Sequence, residues 1–167
     1  HLTGEVAAGE TRNVLVEAAR VVRGQIKPVT AARAEDFDAL IVPGGFGAAK
    51  NLCDFASNGA ALTVQKDFLA FAQAMHAAKK PIGLICIAPT MAAAICGAGT
   101  KTTIGNDAET AAAVNATGAL HCPCEVQDIC VDREKKLVTT PAYMLAHSIV
   151  EASAGIGKLV TEVLALV

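Results

Sequence analysis

Apolar positions along the chain fall into short unbroken runs and longer stretches that repeat every three to four residues, the two signatures of buried strands and amphipathic helices. Unbroken runs over Asp38–Pro43 and Ile82–Ile87 predict two buried strands. A shorter strand is expected at Ile26–Val29 and another at Lys101–Ile104. Val126–Val131 and Leu137–Thr140 predict a strand pair around the polar turn Asp132-Arg133-Glu134-Lys135. Helical periodicity covers Thr11–Arg23, where Val14, Leu15, Ala18, Ala19 and Val22 share a face and Gly24 is the stop. It returns over Gln65–Lys79, with Phe68, Phe71, Ala72 and Met75 toward the core. Gly47–Phe55 reads as a short helix and Ser57-Asn58-Gly59 as a loop. Pro89–Cys96 reads as a helix stopped by Gly97, and Asp107 caps a helix that ends near Gly118. A last helix is expected from just after Pro141 toward Val167, disturbed at Gly155 and Gly157.

Strands alternating with helices predict an α/β fold with a mainly parallel sheet between helical layers. In such sheets ligands gather at the carboxyl ends of the strands. At 167 residues the chain is one domain, and its 53% hydrophobic content is enough for a proper core. A net charge of −2 without a basic cluster argues against nucleic acid, and Pro, Gly or charge interrupts every stretch that approaches a membrane span. The six cysteines lack the spacing of a secreted disulfide module and are expected as reduced thiols. His121-Cys122-Pro123-Cys124 has only Cys130 nearby to complete a tetrahedral set, so no metal is assigned.

Two strand ends carry candidate chemistry. Cys86 closes the run Pro81-Ile82-Gly83-Leu84-Ile85-Cys86-Ile87, and Ala88-Pro89 opens the next helix. A thiol between a strand end and a helix start holds the nucleophile-elbow position, where it projects into a cleft and a helix start favours thiolate. The same residue reads as an inert core thiol, the usual state of cysteine in an apolar strand. The second strand end, Val42-Pro43-Gly44-Gly45-Phe46-Gly47, brings backbone N–H groups close to a ligand, and Gly45 is a candidate half of an oxyanion hole. Taken alone, that loop reads first as a plain strand-to-helix turn.

Five segments taken together resemble the ElbB-type glyoxalases, also called enhancing-lycopene-biosynthesis or isoprenoid-biosynthesis proteins. They are His1-Leu2-Thr3-Gly4-Glu5, Glu10-Thr11-Arg12-Asn13-Val14-Leu15, Val42 to Leu52, Cys86-Ile87-Ala88-Pro89 and Val138-Thr139-Thr140-Pro141-Ala142-Tyr143-Met144. That group belongs to the class I glutamine amidotransferase-like superfamily of PfpI-type folds. The resemblance implies a flavodoxin-like three-layer α/β/α sandwich over residues 1–167, lacking the first strand, helix and second strand of its relatives. It implies Cys86 as nucleophile and the backbone N–H groups of Gly45 and Ile87 as oxyanion donors. Gly44, Asn51, Glu5 and Tyr143, all within the shared segments, are candidate pocket residues.

The implied activity is cofactor-independent conversion of a small 2-oxoaldehyde to a 2-hydroxy acid in a cytoplasmic homodimer, mitochondrial in a eukaryote. Alternative readings are a redox-sensing or chaperone-like protein and an accessory protein of isoprenoid biosynthesis. Peptidase-like relatives carry histidine after the cysteine, where this chain has Ile87. An amidotransferase carries a late His-x-Glu pair, where this chain has His147 and Glu151 four residues apart. The superfamily's acid beside the cysteine falls in the segment without counterpart here.

Overall fold

The computed structural model describes residues 8–167. Its elements in chain order are α1 (Val14–Val21), β1 (Leu40–Val42), α2 (Phe55–Asn58), α3 (Lys66–Ala77), β2 (Ile82–Ile85), α4 (Ala92–Cys96), β3 (Lys101–Thr102), α5 (Ala108–Ala116), β4 (Leu120–His121), β5 (Cys130–Asp132), β6 (Leu137–Thr140) and α6 (Ile149–Ala165). The main sheet runs β1-β2-β6-β5. β1, β2 and β6 are parallel, and β5 joins β6 antiparallel through the expected hairpin. This is the mainly parallel α/β arrangement of a flavodoxin-like fold.

Strand alternation separates two cores. Val42, Ile82, Leu84 and Leu137 point to the face covered by Phe68, Ala72 and Met75 of α3 and by Ala92 and Ile95 of α4. Ile85 and Val138 point to the other face, where Leu159 and Val163 of α6 cover them. Each fully buried aliphatic side chain contributes about 1.5–3 kcal/mol. A smaller core forms where α5, with Val114, packs beside the two-stranded parallel sheet β3-β4.

Several boundaries differ from expectation. Ile26–Val29 is not a strand: Pro28 has no N–H to give a ladder, and a 3₁₀ turn follows at Val29–Ala31. The short helix after Gly47 is a π-helical turn at Ala48–Leu52, ended where Cys53 becomes extended and bridges Val64. Ser57 and Asn58 belong to α2, tied down as Asn58 Nδ2 and the Thr63 N–H both donate to the Asp54 carboxylate, at 2.8 and 2.6 Å.

β4 adds a strand that the hydrophobic pattern does not predict, and β5 starts later than Val126. The last helix begins only at Ile149, behind a Ser148 cap. It then runs unbroken through both glycines. Gly155 is there for close packing, since a Cβ would fall 2.6 Å from the Val126 carbonyl and 2.7 Å from Thr140 Oγ1. The apolar face of α1 forms as predicted, yet no residue of α1 is buried among the described residues. Among those residues no helix is long and apolar enough to cross a membrane.

Candidate active site

β2 ends at Ile85, and the chain turns sharply. Cys86 has φ +64°, the left-handed region that a β-branched or thiol-bearing residue seldom enters. Such a conformation costs about 1–3 kcal/mol and persists only where neighbours hold it. Here the Cys86 N–H donates to the Thr140 carbonyl at 3.0 Å, tying the turn to the end of β6. On the far side, Thr90 donates through both its N–H and its hydroxyl to the Ile87 carbonyl, at 3.1 and 2.8 Å. The nucleophile-elbow geometry is therefore present at the residue where the sequence suggested it.

The segment after the elbow falls short of a full α-helix. Ala88–Met91 is a 3₁₀ turn with Pro89 near its start, and α4 adds only five residues. So short a stack, with 3₁₀ geometry nearest the thiol, aligns fewer peptide dipoles than the helix start expected there.

The Pro43-Gly44-Gly45 loop at the end of β1 lies directly against the elbow. A Cβ on Gly44 would sit 2.6 Å from the Ile85 carbonyl oxygen, 2.7 Å from Cys86 Cβ and 2.9 Å from the Ile87 nitrogen. Only glycine permits that approach. Gly45 follows with φ +83°. Neither Gly45 nor Ile87 donates its N–H to an acceptor among the described residues.

Gly45, Cys86 and Ile87 share the wall of a cavity of about 310 Å³. Phe46, Ala49, Phe55, Ala56 and Met144 complete it. Apart from the thiol, every side chain on this wall is apolar. Periodicity could not single these residues out, because an apolar pocket wall and an apolar core read alike in a sequence. Met144 is brought in by the 3₁₀ turn Ala142–Met144 after β6, in which the buried Ala142 has φ +44°.

The other candidates lie elsewhere. Asn51 is exposed and lines a separate cavity beside α1, with Arg12, Asn13 and Gln65. Tyr143 is 58% exposed, and its neighbour Met144 takes the place in the cavity wall. Glu5 lies outside the described residues. His147 and Glu151 form a helix cap: the Glu151 carboxylate accepts from the His147 N–H at 2.8 Å, and Ser148 Oγ accepts from the Glu151 N–H at 3.2 Å. His121 of the HCPC segment is also structural, its Nε2 accepting the Ile104 N–H at 3.3 Å, and burial holds its pKa below the usual value. Among the described residues no three His, Cys, Asp or Glu side chains converge as a metal site.

The remaining thiols differ from Cys86 in setting. Burial raises the Cys53 pKa above its ordinary value and pushes Cys96 up to about 12. Cys124 is raised to about 11, by burial first and then by the Asp128 carboxylate. Cys130 is raised to about 12, by burial first and then by the neighbouring Cys122.

Known proteins resemble this chain in sequence and in fold. The human glutamine amidotransferase-like class 1 domain-containing protein 3, mitochondrial, is 43% identical over 99% of this chain and 65% of its own length. The rat ES1 protein homolog, mitochondrial, is 44% identical over the same shares. The chain belongs to the class 1 glutamine amidotransferase-like family. A crystal structure of an isoprenoid biosynthesis protein with amidotransferase-like domain from Ehrlichia chaffeensis superposes with a TM-score of 0.86 at 29% identity, over 99% of this chain and 76% of that one. No family model matches. The chain spans 65% of the length of these human and rat relatives. In this sequence Ile87 follows the elbow cysteine, and His147 and Glu151 stand four residues apart.

Proposed function

We propose that this chain carries the nucleophile and oxyanion donors of a cofactor-independent glyoxalase acting on 2-oxoaldehydes. The observation that carries the reading is Cys86, held at φ +64° on the wall of a cavity that Gly45 and Ile87 also line, their N–H groups without an acceptor among the described residues. The Cys86 thiolate attacks the aldehyde carbon, forming the C–S bond of a hemithioacetal as the carbonyl oxygen takes up a proton. The N–H groups of Gly45 and Ile87 stabilise the oxyanion as it forms. The hydrogen on that carbon leaves as a proton and returns to the adjacent carbonyl carbon through an enediol, giving a thioester of the 2-hydroxy acid. Water then cleaves the C–S bond and regenerates the thiol. No external oxidant or reductant is consumed.

The proton shift requires a base within hydrogen-bond reach, which contributes about 10²–10⁴-fold in rate. No carboxylate or imidazole of the described residues lines the cavity, so this reading assigns the base to a residue outside them, the acid that the family resemblance places ahead of His1. The mitochondrial names of the human and rat relatives support the same compartment for this chain if its source is eukaryotic.

The test is turnover of glyoxal and methylglyoxal, followed as glycolate and lactate by chromatography, in the wild type and in Cys86→Ser. The variant is expected to fold normally by circular dichroism and to lose about 10³-fold or more in kcat/KM. Undiminished acid formation by Cys86→Ser would overturn the reading.

A further inference from the structure

We infer that the Cys86 cavity selects 2-oxoaldehydes with an apolar tail, several carbons longer than methylglyoxal. This rests on the glyoxalase reading for the reacting end of the molecule and goes beyond it for the rest.

The cavity wall decides the matter. Selection of a small, hydrated, polar dicarbonyl needs side-chain donors and acceptors that replace its water, and buried polar groups are what make such discrimination steep. Here Phe46, Phe55, Ile87 and Met144, with Ala49 and Ala56, form the wall, and none of these side chains can hydrogen-bond a hydroxyl or carbonyl. Among the described residues the polar groups that remain are the thiol and the N–H donors of Gly45 and Ile87, which on the glyoxalase reading serve the reacting carbonyl. At about 310 Å³ the cavity is far larger than the roughly 10–15 Å³ of such space that one water needs. A two- or three-carbon aldehyde leaves most of that space unfilled. Phe46 marks where the tail would lead: it is 76% exposed at one side of the cavity, with Lys50 Nζ 5.2 Å from its ring centroid. Phe55, Ile87 and Met144 are half-buried and Ala56 is exposed, so the cleft is open to solvent and gives a tail a continuous apolar path to the thiol.

The experiment uses a homologous series, methylglyoxal, 2-oxobutanal, 2-oxohexanal and 2-oxooctanal, with 3-hydroxy-2-oxopropanal as the polar counterpart. For each, reversible protection of Cys86 against iodoacetamide is measured by mass spectrometry on the intact protein. The value is divided by the same aldehyde's hemithioacetal constant with N-acetylcysteine, which removes intrinsic reactivity. Burial of a methylene predicts a rise of about fourfold per added carbon until the cavity is filled. The hydroxylated aldehyde is expected to protect no better than methylglyoxal. Phe46→Ser, at an exposed position, is expected to lower the 2-oxooctanal value more than the methylglyoxal value.

Normalised protection that is flat along the series, or highest for the hydroxylated compound, overturns the inference. Turnover is read in parallel. Graded protection without acid formation leaves the selectivity standing and removes the glyoxalase reading. Acid formation with flat protection does the reverse.

Discussion

Replacing Gly44 by alanine tests the central geometric claim, that the β1 loop and the β2 elbow are built against each other. The new Cβ would lie 2.6 Å from the Ile85 carbonyl oxygen, 2.7 Å from Cys86 Cβ and 2.9 Å from the Ile87 nitrogen. Unstrained carbon contacts sit at about 3.5–4.0 Å, so the two strand ends must part by roughly 1 Å. Two of the three atoms are backbone, and Cβ moves with it, so no rotamer change can absorb the overlap. Overpacking of this kind costs about 1–3 kcal/mol. In a chain of this size that corresponds to a fall of roughly 2–12 °C in Tm. Displacement of the thiol by an ångström should cost about 10²-fold in any turnover. Gly47→Ala is the control, because nothing lies within 4 Å of its Cβ position and its φ of −59° suits any residue. That variant should match the wild type or gain up to about 1 kcal/mol. The assays are urea unfolding and the rate of Cys86 carbamidomethylation by mass spectrometry. Wild-type values of both in Gly44→Ala would refute the close approach. A lowered midpoint with unchanged Cys86 kinetics would refute its link to the site.

Three further outcomes are expected. Iodoacetamide near neutral pH should modify Cys86 before Cys53, Cys96, Cys124 and Cys130, whose thiols burial holds in the protonated form; peptide mapping that finds Cys53 or Cys122 modified first would contradict the elbow assignment. Between pH 9 and about 12 the unfolded chain has lost the Cys96 proton while the folded chain keeps it, so stability present below pH 9 should decline as pH rises, by about 1 kcal/mol per unit from this thiol alone. A urea-midpoint slope over pH 9–10 that is no flatter in Cys96→Ala would rule that out. Because β1 is the sheet's edge among the described residues, with Leu40 and Ile41 only half-buried, residues 1–167 expressed alone should self-associate, and a monodisperse monomer in sedimentation velocity would show the edge to be covered.

Much of the fold is legible in the sequence because burial on both faces leaves a continuous apolar run, as at Ile82–Ile85, and because caps have a chemical signature, as at Asp107, whose carboxylate accepts the Thr110 N–H at 2.8 Å. β4 is not, because a two-residue strand has no period to detect. The Pro141 region reads as helix but holds a 3₁₀ turn and a bend before Ser148, since local composition says little about where a helix waits for its cap. At the site, the elbow cysteine and the glycine loop are readable from their place at strand ends. The wall is not. Phe55 and Met144 carry no polar mark, and a single residue of register separates Met144 in the wall from Tyr143 in solvent.

The same geometry explains why the elbow can exist at all in a chain whose cysteine lacks glycine's freedom at φ +64°. Three independent supports converge on two residues: the Thr140 carbonyl takes the Cys86 N–H, Thr90 holds the Ile87 carbonyl twice, and Gly44 closes the remaining side by contact. Each comes from a different element, the end of β6, the turn before α4 and the end of β1. Strain of about 1–3 kcal/mol at Cys86 is thereby offset by bonds that hold the backbone on both sides of the thiol. The cost makes physical sense if the thiol must face the cavity with its donors already in place, so that little reorganisation remains when an oxyanion forms there.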